Sequence, residues 1–137
     1  LTSPNRDDLV DGGAFHYATI VSEIHRHYPS VKVEVLIPDF QGKTKDIDIV
    51  LSSKPDVLNH NIETVARLYP QVRHKARYAR SLAVLQRVAH RFPHLTVKSG
   101  LMVGLGEKKE EVFSLFEDLR QHVHILIDRG IKFDRCI

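Results

Sequence analysis

The feature that most restricts this chain is an alternation. Short aliphatic and β-branched runs, each closed by a polar cluster, are separated by segments in which apolar residues recur every three or four positions. Val31 to Ile37 begins by alternating and ends as a continuous apolar run, Pro55 to Asn59 is a short strand running into a polar loop, and Thr96 to Val103 is strand-like again. His124 to Ile127 can start one more. Between them, Ala14, Tyr17, Ala18, Val21, Ile24 and Tyr28 mark one helical face that Pro29 ends, and Asp46 to Leu51 predicts a short helix. Glu63 to Tyr69 reads as one or two helical turns stopped by Pro70. Tyr78 to Phe92 is a longer helix with an apolar stripe through Tyr78, Leu82, Leu85, Val88, Ala89 and Phe92, and a last helix after Glu107 carries Val112, Leu115, Phe116, Leu119 and Val123. Strands that alternate with helices predict an α/β fold with parallel strands and helical crossovers. The 137 residues fall well short of the ~250 of a closed eight-stranded barrel, leaving an open sheet or part of a barrel.

Composition narrows the function. A hydrophobic fraction of 42% supports one buried core, and no apolar stretch approaches the ~20 residues of a spanning helix. The net charge of +3 is slight and no run of five like charges occurs, so Lys and Arg read as dispersed among carboxylates, with no nucleic-acid partner. One cysteine, Cys136, excludes an internal disulfide and any site needing several thiolates of this chain, and it fits a reducing interior. The opening Leu1-Thr2-Ser3-Pro4 shows no leader, which leads us to expect a cytoplasmic setting. The nine histidines lie mostly on predicted helices or their ends, without a ligand pair such as HExxH, and Ser22, Ser81 and Ser114 lack a nucleophile elbow.

In parallel α/β proteins ligands bind where strands end, so polar clusters that follow strand-like runs carry the most information. Four qualify: Thr2 to Asp8, Pro38-Asp39, Asn59 to Thr64, and Lys98-Ser99-Gly100 leading to Glu107. The last passes through Gly100, Gly104 and Gly106, which permit close approach of a flat or phosphate-bearing ligand; a plain tight turn reads equally well. Asn59, Asn61 and Glu63 alternate, so they face one way from a strand end as amide and carboxylate partners for hydroxyl groups, with His60 opposite. Loop capping is the competing reading.

Taken together, Thr-Ser-x-Asn-Arg-Asp-Asp-Leu with Asp11-Gly12-Gly13-Ala14, Val35 to Phe40, Asn59 to Val65, and Lys98 to Glu107 resemble lipoyl synthase, a radical S-adenosylmethionine family, from Leu1 to about Val123. The resemblance implies a partial (β/α)6 barrel over residues 1–123, with 124–137 a divergent tail. It implies S-adenosylmethionine and [4Fe-4S] clusters as cofactors and insertion of two sulfur atoms into an octanoyl chain. That chain is held by lipoyl-carrier domains, those of dehydrogenase complexes and of glycine cleavage. It implies that Thr2, Ser3 and Asp7 hold the methionine moiety, that Asn59, Asn61 and Glu63 meet ribose or the amino-acid part, and that Arg73 pairs with the carboxylate. Gly100, Met102, Gly104 and Glu107 match a G-x-I-x-G-x-x-E pattern that abuts adenine.

The departures from the family pattern are also informative. The C-x3-C-x2-C run and a second cysteine trio of the family are absent, Pro4 replaces a small apolar residue, and the expected Gly-Gln-Tyr and Arg-Ser-Ser-Tyr elements are missing. The chain is therefore expected to be a catalytically inert segment, or alternatively a non-catalytic half-barrel binding module, with exposed edge strands that invite association.

Overall fold

The computed structural model describes residues 1–122. Helix α1 (Ala14–His27) leads into β1 (Glu34–Leu36), and α2 (Thr44–Ser52) into β2 (Val57–Asn59). The short α3 (Tyr69–Val72) and α4 (Tyr78–Arg91) then precede β3 (Thr96–Lys98), which α5 (Lys109–His122) follows. The three strands form one parallel sheet in the order β1-β2-β3, with Val35, Leu58 and Val97 in register. Leu1 to Ser3 extend it: Thr2 bridges Leu36 in parallel, and the Leu36 amide donates to the Leu1 carbonyl at 2.8 Å.

Strand order that follows chain order carries a topological consequence. Crossovers of one hand that always step in the same direction put their helices on the same side of the sheet, whereas a doubly wound sheet reverses its order and covers both faces. Val35, Leu58 and Val97 are accordingly buried beneath the helices, and the alternate positions Glu34, Leu36, Val57, Asn59, Thr96 and Lys98 form a less covered, more polar face. Helices on one face only, with the other face more polar, is the pattern of a barrel segment rather than of a doubly wound sheet, whose two faces are both covered.

The core joins the apolar sheet face to Ala14, Tyr17 and Val21 of α1, Ile47, Val50 and Leu51 of α2, Val84, Leu85 and Val88 of α4, and Leu115 and Leu119 of α5. Burial of each such aliphatic side chain contributes roughly 1.5–3 kcal/mol before entropy is counted. Tyr17 ties this core to the first residues, because its Oη donates to the Leu36 carbonyl at 2.8 Å and accepts from the Ser3 amide at 2.9 Å.

Several expectations are revised. Pro70 does not stop a helix: a 3-10 turn at Ala66–Leu68 runs into α3, which carries Pro70 in its first turn, where a missing amide hydrogen costs nothing. Tyr28 is exposed rather than part of the α1 stripe, since it is the C-cap residue forced out of helical geometry by Pro29. The strands are shorter than their apolar runs, and the anticipated strand from Thr96 to Val103 breaks after Lys98 and touches the sheet again only at Leu101, opposite Glu63. Val123 and the strand expected at 124–127, with the boundary of the proposed tail, lie outside the described residues. Among the described residues no helix is long and apolar enough to cross a membrane.

Candidate functional site

The carboxyl edge of the sheet is assembled from three loops. Pro38-Asp39 follows β1, and Asp39 accepts from the Gln41 amide and from Arg80 Nη1 of α4 at 3.1 Å. After β2 burial alternates, half-buried Asn59, Asn61 and Glu63 with buried His60 and Ile62, but the extended register expected to include Glu63 ends before it, at a left-handed turn. After β3 come Ser99, Gly100 and the glycine turn.

The second and third loops lie side by side. The ladder continues beyond the strands through His60 N to the Lys98 carbonyl at 3.1 Å, Glu63 N to the Gly100 carbonyl at 2.9 Å, and Met102 N to the Glu63 carbonyl at 2.8 Å. Ser99 Oγ accepts from the Ile62 amide at 3.1 Å. A methyl group at Gly100 would lie 2.7 Å from Asn61 Oδ1, so only glycine lets these loops approach while that amide keeps its place. Glu63 holds a left-handed backbone (φ 66), an uncommon state for a side chain of this kind and one found at ligand sites.

Arg73 reaches back from the end of α3 to donate to the Asn61 carbonyl at 3.2 Å. Gly104 and Gly106, at φ 100 and 99, turn the next loop outward, and the Glu107 carboxylate accepts from the Gly104 and Leu105 amides. Those backbone hydrogen bonds, that of Gly104 first, lower the Glu107 pKa, so its charge is engaged within its own turn. Met102, Val103 and Leu105 are exposed.

Thr2 and Ser3 sit on the far side of β1, three strand spacings or roughly 14 Å from β3, and are exposed. Asp7 lies beyond them, with Oδ1 accepting from Gln41 Nε2 at 3.2 Å. The structure thus brings Asn59, Asn61, Glu63, Arg73, Gly100 and Met102 together, places Gly104 and Glu107 on an adjoining turn, and sets Thr2, Ser3 and Asp7 at the opposite end of one edge.

Two residues outside the candidate set complete the polar sheet face. Lys98 Nζ pairs with the Glu34 carboxylate at 2.9 Å, and Asn59 Nδ2 contacts the same carboxylate at 3.4 Å. Asn59 Oδ1 is buried without a partner. The signal for them was present as the alternation of Lys32 and Glu34 with Val33 and Val35, but which neighbour each would meet depends on strand order. On the opposite face His60, 1% exposed, donates from Nδ1 to the Ile37 carbonyl at 2.9 Å, because a carbonyl only accepts. That bond selects the Nδ1–H tautomer, and burial pushes the pKa of the ring down.

The side chains along this edge are polar and half-buried at Asn59, Asn61 and Glu63. Among the described residues the buried Asn59 oxygen has no donor, and the Asn61 side chain stands against Gly100. Iron does not suit this edge: among the described residues no three His, Cys, Asp or Glu side chains cluster as metal ligands, and Cys136 is the chain's single cysteine.

A parallel sheet in chain order with helices on one face and a polar carboxyl edge defines a segment of a (β/α) barrel. Comparison with known proteins finds relatives of that segment. Lipoyl synthase from Caldicellulosiruptor saccharolyticus is 56% identical over 120 residues (88% of this chain, 42% of that protein), and that from Alkaliphilus metalliredigens 51% over 120 residues (88% and 41%). Lipoyl synthase from Coxiella burnetii strain Dugway is 53% identical over 123 residues, covering 89% and 39%. No protein-family model matches. Over the shared span of 120–123 residues the chain is similar to these lipoyl synthases, and it spans about two-fifths of the length of the curated relatives it matches.

Proposed function

We propose that the carboxyl edge binds S-adenosylmethionine and contributes that binding surface to a lipoyl synthase, which inserts two sulfur atoms into a protein-bound octanoyl chain. The observation that carries this reading is the continuous ladder from Glu63 to Gly100 and Met102, which joins two loops separated by nearly forty residues side by side at the carboxyl edge. In this assignment Asn59, Asn61 and Glu63 take the ribose hydroxyls or the amino-acid part, and Arg73 takes the carboxylate. Gly100, Met102, Gly104 and Glu107 lie along adenine, and Thr2, Ser3 and Asp7 reach the methionine end.

When bound, S-adenosylmethionine and [4Fe-4S] clusters supply the radical and the sulfur in this chemistry. This chain's residues position the organic cofactor. Its donor set does not fit a cluster, which favours a binding role for the chain taken alone.

Calorimetric titration with S-adenosylmethionine, and with S-adenosylhomocysteine, tests the assignment without iron. Saturable heat that weakens at least tenfold in Asn61→Ala is expected. No heat, or amide shift changes confined to the helical face, would refute the assignment.

A further inference from the structure

The slight net charge hides a strong segregation. From Thr64 to Gly106 there is no Asp or Glu, yet this stretch holds eight Lys and Arg residues. The expectation that cations are dispersed among carboxylates fails here, and the fold repairs only half of it. Arg67 pairs with Glu111, Arg80 with Asp39, Arg87 with Asp48 and Lys98 with Glu34, each carboxylate coming from outside the stretch. Among the described residues, Arg73, Lys75, Arg77 and Arg91 make no ion pair with a carboxylate.

Three of those four stand in five residues, Arg73 to Arg77, with His74 among them. This loop joins α3 to α4 at the carboxyl edge, anchored by Arg73 on the Asn61 carbonyl, while His74, Lys75 and Arg77 are exposed. It also precedes the amino end of α4, which has no side-chain cap and no acidic residue in its first turn. Unpaired cations beside a positive helix pole repel one another in the free protein. An external negative surface relieves that repulsion.

We propose that the Arg73–Arg77 loop is a docking surface for an acidic protein face, that of the carrier domain whose acyl arm must reach the adjoining carboxyl edge. This rests on the lipoyl synthase reading, since it names how the partner of that site is held. A small anion fits poorly, because it needs convergent buried donors and Lys75 and Arg77 are solvent-facing. A single-stranded nucleic acid fits poorly too, because no Phe, Tyr or Trp stands in the loop for stacking. The exposed Met102, Val103 and Leu105 on the loop after β3 supply apolar area at the same edge.

The test measures association of this chain with an octanoylated lipoyl-carrier domain between about 50 and about 500 mM NaCl. The double variant Lys75→Glu/Arg77→Glu is compared with Arg91→Glu, an exposed and equally unpaired cation at the far end of α4. The expected result is affinity that falls with salt, about tenfold weaker association in the double variant, and near-parental association in Arg91→Glu. S-adenosylmethionine binding should be unchanged in both, which also shows that they fold.

Equal loss in both variants, salt-independent association, or no carrier affinity overturns the docking surface. If S-adenosylmethionine still binds in that case, the cofactor reading stands. Charge-sensitive docking in a chain that does not bind S-adenosylmethionine does the reverse. Duplex RNA binding with the same salt response and the same loss in the double variant also overturns the proposal.

Discussion

Gly100 and His60 show how much a single position decides at this edge. In Gly100→Ala the new methyl meets Asn61 Oδ1 at 2.7 Å, the end of a short side chain that swings away, while Gly104→Ala and Gly106→Ala meet open space but hold φ near 100. Gly100→Ala is therefore expected to change stability by about 1 kcal/mol yet to weaken ligand binding at least tenfold, whereas each of the other two costs roughly 1–3 kcal/mol of backbone strain. Thermal melts paired with calorimetry separate the two cases. His60 makes a second prediction. Its folded pKa lies below the usual 6.5, so the unfolded chain takes up a proton that the folded chain refuses. Its contribution is complete above about pH 6.5 and is lost progressively as pH falls below that value toward the lower folded pKa. His60→Asn, which keeps a donor near the Nδ1 position, should flatten the dependence of melting temperature on pH between about 5 and 7. An unchanged slope would show that His60 does not report its burial to stability.

Among the elements, α1 and the first strand segment depend on side chains that sequence spacing only hints at. Asp11 accepts from the Gly13 amide at 3.0 Å and the Phe15 amide at 2.8 Å, so it satisfies the amino end of α1 from outside the helix. Asp11→Ala is expected to cost about 1 kcal/mol and lower the melting temperature by a few degrees. Tyr17→Phe removes the hydroxyl that joins Ser3 to Leu36 and should cost about 1–2 kcal/mol. Faster amide exchange at Ser3 and at Leu36, whose own amide bonds Leu1, is the specific sign, because both bonds hold the first residues to β1. Protection that stays as in the parent would mean that the β1 pairing alone holds this segment.

Across the whole molecule, charge and acid response follow from which elements meet. Asp56 accepts from Lys32, the Val33 amide and His25, and its pKa is lowered to about 2, Lys32 contributing most. A folded pKa below the usual 3.8 means a contribution that is present above about pH 4 and lost as pH falls toward 2. Acid unfolding followed by circular dichroism should shift to higher pH in Asp56→Asn. Arg67 binds both carboxylate oxygens of Glu111 and the Gly106 carbonyl, clamping the glycine turn to the loop after β2, and the pKa of Glu111 is likewise lowered to about 2.

Much of this architecture was legible in one dimension. Alternation of strand-like and helical runs fixed the α/β class, because backbone period and apolar period must agree for a face to be buried. The extended register from Asn59 to Asn61 placed their side chains opposite His60, since adjacent residues of a strand face opposite sides whatever surrounds them, whereas the left-handed turn at Glu63 leaves that register. The pairing of the Asn59–Glu63 loop with Gly100, the contact of Glu34 with Lys98, and the unequal neutralisation of the Thr64–Gly106 cations were decided only by tertiary structure. Local sequence sets the period and direction of each side chain, but which strands become neighbours depends on packing of helices far apart in the chain.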